Sequence, residues 1–174
     1  MGKDKATLLF RGKPLWQNQV ELLRRLEPVE IFVSARTNPS WRSGDVRFVP
    51  DEPRSRGPLS GIAASLAQMH TAHLLALAID MPFMSENYLR YLCDQIEPGT
   101  GVVPTIGNRA EPLAAIYPRE ADTDFRSALV GTDFSLQSVV RRLVESGKLR
   151  EVHVKKHESK LFLNVNEMAN LQSA

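Results

Sequence analysis

Several features that define large classes of proteins are absent from this sequence. Its 174 residues contain one cysteine, Cys93, so no internal disulfide can form, and the surrounding helical pattern predicts that this thiol lies in the core. The longest apolar run, from Leu74 to Ile79, is far shorter than the roughly 20 residues that cross a bilayer. No signal peptide is recognisable, so we expect a cytoplasmic protein without membrane contact.

Familiar catalytic motifs are also missing. The sequence has no G-x-x-x-x-G-K-[ST] phosphate loop, and no G-x-S-x-G elbow surrounds Ser60. His153 and His157 have a metal-like spacing only on a helix, whereas their segment alternates like a strand. Hydrolase chemistry at a nucleophilic serine and a histidine metal site are therefore not expected.

Positively and negatively charged residues are nearly equal in number. Lys and Arg number 22 against 20 Asp and Glu, which gives a net charge of +2, and the basic residues are spread along the chain. Duplex nucleic acids require a concentrated basic face, so no nucleic-acid partner is expected, whereas a phosphate-bearing small molecule remains compatible. A globular chain of this length buries about 70% of its surface, which is enough for one domain spanning residues 1–174.

Strand and helix patterns alternate along the chain. Apolar and β-branched runs predict strands at 7–10, 30–35, 46–50, 73–79, 101–106, 111–117, 149–154 and 161–165. Helical spacing predicts helices at 15–26, 58–70, 86–96, 125–130 and 135–147. This order predicts a three-layer, Rossmann-like α/β fold with a mostly parallel central sheet, in which ligands bind at the carboxyl ends of the strands.

Two aspartates directly follow predicted strands. Asp80 ends the apolar run 74–79 and is followed by Met81-Pro82, which is a suitable place for a hard divalent cation, although a cap or an ion pair is the alternative. Asp51 follows the strand at 46–50. The loop after it contains Gly57 and Gly61, which allow a ligand to approach the backbone, or else the loop is a plain connector.

Weaker candidates lie at the two ends of the chain. Lys5 follows Gly2-Lys3-Asp4 ahead of a short strand, where its ammonium could meet a phosphate or simply be solvated. Asn164 and Asn166 point to the same side of an extended segment and fit either a ligand site or a turn.

Five segments occur in the order and spacing of one family. They are MGKDKATLLFRGKPLWQ, VPDEPRSRGPLSGI, LAIDMPF, RAEPLAAIY and FLNVNEMANL. Together they resemble the molybdenum cofactor guanylyltransferases over nearly the full chain. The resemblance implies a Mg²⁺-dependent nucleotidyltransferase that joins GMP from GTP to molybdopterin and releases pyrophosphate. It also implies molybdoenzymes or molybdenum-insertion proteins as partners.

The resemblance assigns roles to individual residues. Lys5 matches the nucleotide-binding lysine of the family, and Asp51 its nucleotide-binding aspartate. Asp80 matches the aspartate that holds Mg²⁺ and contacts GTP, so Lys5 and Asp80 are the implied catalytic pair. Ser34 stands where some members have a nucleotide-contacting asparagine. Gly57 and Gly61 belong to the implied nucleotide loop, and Asn164 and Asn166 match a signature near the pterin.

This sequence differs from the family pattern at its first residues. Relatives begin with a buried strand and a glycine-rich turn of the type L-A-G-G-x-S-x-R, which leads into R-M-G-x-D-K, whereas this sequence starts at the M-G of that motif. We therefore expect the natural chain to extend upstream through that strand and loop.

Two other functions remain open at this point. One is a cytidylyltransferase or a sugar-phosphate nucleotidyltransferase of similar fold. The other is a catalytically inactive nucleotide-binding module that lacks the phosphate loop.

Overall fold

The computed structural model describes residues 4–51 and 56–165. The helices in this part are α1 (Leu15–Arg24), α2 (Pro58–Gln68), α3 (Glu86–Cys93), α4 (Asp122–Val130) and α5 (Leu136–Glu145). The strands are β1 (Leu9–Phe10), β2 (Lys13–Pro14), β3 (Ile31–Ala35), β4 (Val46–Pro50), β5 (His73–Leu77), β6 (Gly101–Ile106), β7 (Arg109–Ala110), β8 (Ala114–Pro118) and β9 (Leu149–His153).

Two hydrophobic clusters cover opposite faces of the strands. Val103 and Tyr117 belong to the cluster that packs against α2, α4 and α5. Val102 and Ile116, which are their neighbours along or across the strands, belong to the cluster that contains residues of α1 and α3. Because successive strand residues point to opposite faces, this division produces three layers, with the sheet in the middle. The predicted α/β layering is therefore present.

The strand pairing differs from the prediction of a mostly parallel sheet. Strand β3 pairs with β4 in parallel, whereas the larger sheet has the order β5-β8-β6-β7 with β9 also on β6. Strand β8 is antiparallel to both β5 and β6, and among the larger sheet's pairs only β6–β9 is parallel. The physical reason is the tight return at Gly107, which reverses the chain into a hairpin, and the reversed strand enters the middle of the sheet.

Local predictions are corrected at three places. The predicted strand at 161–165 is instead a 3-10 turn, Ser159–Phe162, through which Phe162 reaches the α3 cluster. Of the predicted strand at 7–10, only Leu9–Phe10 is extended, and it pairs with Lys13–Pro14 across Arg11 and Gly12, both at positive φ. Cys93 is exposed at the end of α3 rather than in the core.

Strands β3 and β5 are both edge strands, one in each sheet. Each has one partner among the described strands, β4 for β3 and β8 for β5. Their residues are all half-buried, whereas those of β8 are all buried. Within residues 4–51 and 56–165, no helix is both long enough and apolar enough to cross a lipid bilayer.

Candidate nucleotide site

A cavity of about 910 Å³ lies between β3 and β5, with residues of α1 and α2 also in its walls. Its lining includes five of the residues singled out from the sequence, which are Ser34, Asp51, Gly57, Gly61 and Asp80. They come from the carboxyl-end side of three strands and from the start of α2. Ser34, Asp51 and Asp80 therefore lie at the carboxyl ends of strands, which is where ligands bind in sheets of this kind.

Lys5 and Asp80 form an ion pair at the mouth of this cavity. The Lys5 Nζ atom donates to Asp80 Oδ2 at 3.2 Å, and the side chain of Asp80 is 22% exposed against 48% for Lys5. Surface pairs of this kind contribute little to stability, because water solvates both partners and screens their attraction. The pair therefore brings one cation and one carboxylate together where both remain accessible to a ligand.

The backbone around Asp80 is fixed by two other parts of the chain. The amide nitrogen of Gln19, a buried residue of α1, donates to the carbonyl oxygen of Met81 at 2.7 Å and to that of Ala78 at 3.3 Å. The backbone N–H of Val165 donates to the Asp80 carbonyl oxygen at 3.1 Å. Asp80 is thus held on a braced turn rather than on a free loop.

Gln19 was missed by the sequence reasoning although a signal existed. It stands four residues after Leu15 and three before Leu22, which are both buried, so helical spacing puts an amide on the apolar side of α1. A polar residue in such a stripe needs partners inside the protein. The carbonyl groups on either side of Asp80 provide them.

Ser34, Asp51 and Gly61 form a second group in the same cavity. The Ser34 hydroxyl donates to Asp51 Oδ1 at 2.7 Å, and the Asp51 N–H donates to the carbonyl oxygen of Ala35 at 3.0 Å. A Cβ added to Gly61 would lie 2.8 Å from Ser34 Oγ and 3.6 Å from Asp51 Oδ1. Only glycine allows α2 to pack this closely against the pair, which orients the Asp51 carboxylate.

The N-cap residue of α2 is also a glycine, and its backbone conformation requires one. Gly57 caps the helix with φ +66° and ψ −147°, a conformation that L side chains rarely adopt. The Arg56 N–H donates to the buried Ser60 hydroxyl at 2.7 Å, and the Arg56 guanidinium lies 4.1 Å from the centre of the Phe134 ring. Arg56, the described residue directly before Gly57, is therefore held by contacts to Ser60 and Phe134.

Of the two asparagines predicted near the carboxyl-terminal end, the structure describes only the first. Asn164 precedes Val165, whose backbone bond to Asp80 brings this segment to the Lys5–Asp80 pair. Asn166 lies outside the described residues.

Aromatic residues near Asp4 were not predicted as part of the site. The Trp41 indole N–H donates to Asp4 Oδ2 at 2.9 Å, and the Trp16 and Trp41 rings stack at 5.3 Å between centroids. Asp4, Trp16 and Trp41 all line the cavity. Widely separated tryptophans carry no sequence spacing that would predict this contact.

The donor chemistry at Asp80 fits a magnesium ion. Among the described residues, no three His, Cys, Asp or Glu side chains gather to hold a metal ion by themselves. Mg²⁺ commonly needs one or two protein carboxylates, with water and substrate phosphates completing its shell. Asp80, accessible at the cavity mouth and bonded to Lys5 through one of its two oxygens, meets that requirement.

A model of the MobA-like NTP transferase domain matches residues 1–150. The chain belongs to this family. It is a nucleotidyltransferase, and the family recognised in its motifs is confirmed.

Curated relatives support the same family. The probable molybdenum cofactor guanylyltransferase of Opitutus terrae is 36% identical over 171 residues, which cover 95% of this chain and 84% of the relative. The molybdenum cofactor guanylyltransferase of Syntrophotalea carbinolica is 28% identical over 95% of this chain and 80% of its own length.

Solved structures support the fold. The molybdopterin-guanine dinucleotide biosynthesis protein A of Archaeoglobus fulgidus superposes with a TM-score of 0.75 at 22% identity, over 99% of this chain and 89% of that one. The 2-C-methyl-D-erythritol 4-phosphate cytidylyltransferase of Thermus thermophilus gives a TM-score of 0.70 at 14% identity, over 98% and 91% of the two chains. This chain therefore shares its α/β nucleotidyltransferase fold with proteins that are named for different substrates.

Proposed function

We propose that this protein transfers GMP from GTP to molybdopterin and releases pyrophosphate, with Mg²⁺ as its cofactor. The observation that carries the proposal is the cavity that joins the Lys5–Asp80 pair to the Ser34–Asp51–Gly61 group. Family membership and the names of the curated relatives support the choice of guanine nucleotide and pterin.

The chemistry that the site would perform needs no protein nucleophile. A phosphate oxygen of molybdopterin attacks the α-phosphorus of GTP, the bond from that phosphorus to the β-phosphate oxygen breaks, and pyrophosphate leaves. Negative charge grows on the leaving oxygen, so a fixed cation beside it lowers the barrier. The ammonium of Lys5, oriented by Asp80, is such a cation.

The other residues act by positioning. Asp51, oriented by the Ser34 hydroxyl, offers a carboxylate acceptor to donor groups of the nucleoside, and Gly61 leaves room for the Ser34–Asp51 contact beside α2. When bound at Asp80, Mg²⁺ supplies charge neutralisation of the triphosphate. Holding both substrates in line converts a bimolecular reaction into one that is effectively unimolecular.

The test is a pyrophosphate-release assay with molybdopterin, Mg²⁺ and either GTP or CTP. We expect release with GTP that depends on both molybdopterin and Mg²⁺, and much slower release with CTP. Calorimetry with each nucleotide in Mg²⁺ separates binding from turnover. Preference for CTP would favour the cytidylyltransferase alternative, and absence of Mg·GTP binding would favour the inactive module.

A further inference from the structure

The two tryptophans of the sequence, Trp16 and Trp41, stack on each other in the wall of the cavity. Trp16 belongs to α1, and Trp41 lies in the segment that links β3 to β4. Their ring planes differ by 18° and their centroids are 5.3 Å apart, which is a favourable arrangement for two aromatic rings. The indole of Trp41 is therefore held against α1.

The segment around Trp41 is closed by hydrogen bonds of its own. The Arg42 side chain donates from Nε to Asn38 Oδ1 at 2.9 Å and also bonds to the carbonyl oxygen of Val46. The backbone N–H of Arg42 donates to the carbonyl oxygen of Pro39 at 3.1 Å. These contacts lie on both sides of Trp41 in the sequence, so the backbone that carries the indole is supported independently of the stack.

The indole of Trp41 bonds to a carboxylate whose other oxygen caps a turn. The indole N–H donates to Asp4 Oδ2 at 2.9 Å, and Asp4 Oδ1 accepts from the N–H of Ala6 at 3.0 Å. Asp4 is the N-cap residue of the 3-10 turn Lys5–Thr7. One carboxylate thus links Trp41 to the turn that carries Lys5.

The same turn is attached to α1 at its other end. The carbonyl oxygen of Leu8 accepts from the N–H of Leu15, the first residue of α1, at 2.9 Å. The N–H of Leu8 donates to the carbonyl oxygen of Lys5 at 3.1 Å, and the Ala6 side chain between them is buried. The backbone of Lys5 is therefore held from both sides, by Asp4 before it and by Leu8 after it.

Helix α1 supports both members of the Lys5–Asp80 ion pair. Gln19 holds the turn that carries Asp80. Trp16, three residues earlier on the same helix, supports the turn that carries Lys5 through the tryptophan stack. Residues three apart are neighbours on a helix surface, so the two supports lie next to each other. The 3.2 Å contact between ammonium and carboxylate thus depends on one helix.

Asp4 places a negative charge where the proposed function places a triphosphate. Its carboxylate lines the cavity, and charges of the same sign repel each other. A carboxylate that only faced solvent there would weaken nucleotide binding. The two oxygens of Asp4 are instead bonded to Trp41 and Ala6, which is the arrangement expected of a carboxylate that orients a neighbouring cation.

We infer that Asp4 and Trp41 are positioning residues for the Lys5 ammonium. Trp41 fixes the Asp4 carboxylate, and Asp4 fixes the turn from which Lys5 reaches Asp80. The inference rests on the proposed function, because that function assigns the Lys5 ammonium to the triphosphate. Loss of either link lets the ammonium leave the place where charge grows on the leaving oxygen, so turnover falls.

The test uses two variants that each break one link. Trp41→Phe keeps an aromatic ring on Trp16 but removes the N–H that donates to Asp4. Asp4→Asn leaves one side-chain oxygen for two donors, so the bond from Ala6 or the bond from Trp41 is lost. Trp16→Phe is the matched control, because it makes the same change on the other ring of the stack and leaves the bond from Trp41 to Asp4 in place.

Steady-state turnover of GTP with molybdopterin and Mg²⁺ is the first measurement. We expect kcat/KM to fall about fivefold or more in Trp41→Phe and in Asp4→Asn, and to fall less in Trp16→Phe. Lys5→Ala should lose about 100-fold, and adding Trp41→Phe to it should change kcat/KM by less than about twofold. Losses that add in the double variant, or equal losses in the two tryptophan variants, would overturn the inference.

Calorimetry with Mg·GTP separates positioning from simple charge repulsion. If Asp4 contributed only its negative charge, Asp4→Asn would bind Mg·GTP more tightly than the parent. Loss of positioning has the opposite sign, and we expect affinity to fall about threefold or more in both Asp4→Asn and Trp41→Phe. Tighter binding by Asp4→Asn with a parental kcat would overturn the inference.

Amide hydrogen exchange without nucleotide gives a result that does not depend on the proposed function. The amides of residues 6–8 bond within the turn, and they should exchange about fivefold or more faster in Trp41→Phe than in Trp16→Phe. The Met69 amide at the end of α2 is the internal control and should not change. If the parent does not turn over GTP, the proposed function fails. Faster exchange at residues 6–8 would then still support the link from Trp41 to the turn, and equal exchange would overturn it.

Discussion

At Asp80, a single carboxylate carries the proposed link between the protein and the metal-bound triphosphate. Asp80→Asn preserves the shape of the side chain but removes its charge, and the turn stays held by Gln19 and Val165. We expect a loss of about 100-fold or more in Mg²⁺-dependent turnover. The control is Asp45→Asn, which breaks an exposed pair with Arg24 away from the cavity. Near-parental turnover of Asp80→Asn would contradict the metal assignment.

A substitution at Gly61 offers a second test, because it should disturb the candidate site while leaving the stability of the core nearly unchanged. In Gly61→Ala the new methyl group meets Ser34 Oγ at 2.8 Å and displaces it from Asp51. We expect nucleotide affinity to fall about tenfold. The free energy of unfolding should change by less than about 1 kcal/mol, since alanine favours the helix that the clash disfavours. Gly44→Ala, with open space around it, is the control and should leave affinity unchanged.

The hydroxyl of Tyr88 is buried without a hydrogen-bond partner among the described residues. Tyr88 is 4% exposed, and burial raises the pKa of the phenol far above its usual value. Tyr88→Phe should therefore raise the free energy of unfolding by about 1 kcal/mol in urea titrations. Tyr117→Phe is the opposing control, because its hydroxyl donates to the Pro112 carbonyl oxygen and its loss should destabilise. Destabilisation by both changes would mean that Tyr88 has a partner.

At the scale of elements, α1 determines the position of the turn after β5. Gln19→Leu should remove both bonds to that turn while keeping an apolar side chain in the stripe of α1. We expect Mg·GTP affinity to fall about tenfold or more, with a stability loss of about 1–3 kcal/mol from the unpaired carbonyl groups. Gln17→Leu on the same helix, which loses only a bond to Glu21, should leave affinity at the parental level. A stability loss without an affinity loss would reduce Gln19 to a purely structural role.

Elements with a local signal were predictable from the sequence. The helix predicted from residue 86 begins there, after Ser85, whose hydroxyl accepts from the N–H of Tyr88 in the cap of α3. The predicted start of a helix at residue 58 is confirmed, because α2 begins at Pro58. Pairing was less predictable, because the place of β8 between β5 and β6 depends on contacts far apart in the chain. The prediction of a strand at 161–165 was wrong, because alternation of apolar residues alone cannot distinguish a strand from a turn that buries Phe162.

The candidate site shows the same division between local and long-range information. Asp80 and Asp51 followed from their positions after predicted strands, and the structure places both at one cavity. The contacts that orient them could not be predicted, since Ser34 reaches Asp51 across 17 positions and Gln19 reaches Met81 across 62. Their roles in nucleotide and metal binding stay predictions that the variants above would test.

For the whole molecule, unequal burial predicts unequal local stability. Strand β8 has neighbours on both edges and is fully buried, whereas β3 is half-buried, lines the cavity and pairs with β4 alone among the described strands. Native-state hydrogen exchange of the 174-residue chain should therefore give the largest opening free energies at Ala115, Ile116 and Tyr117.

In the same experiment, the bonded amide of Val33 should open with a free energy at least about 2 kcal/mol lower than the amides of β8, because β3 and β4 pair only with each other among the described strands. Equal opening free energies in β3 and β8 would mean that the two sheets unfold as one cooperative unit. That result would mean that contacts through α2, which touches β3, β4 and β5, couple the two sheets.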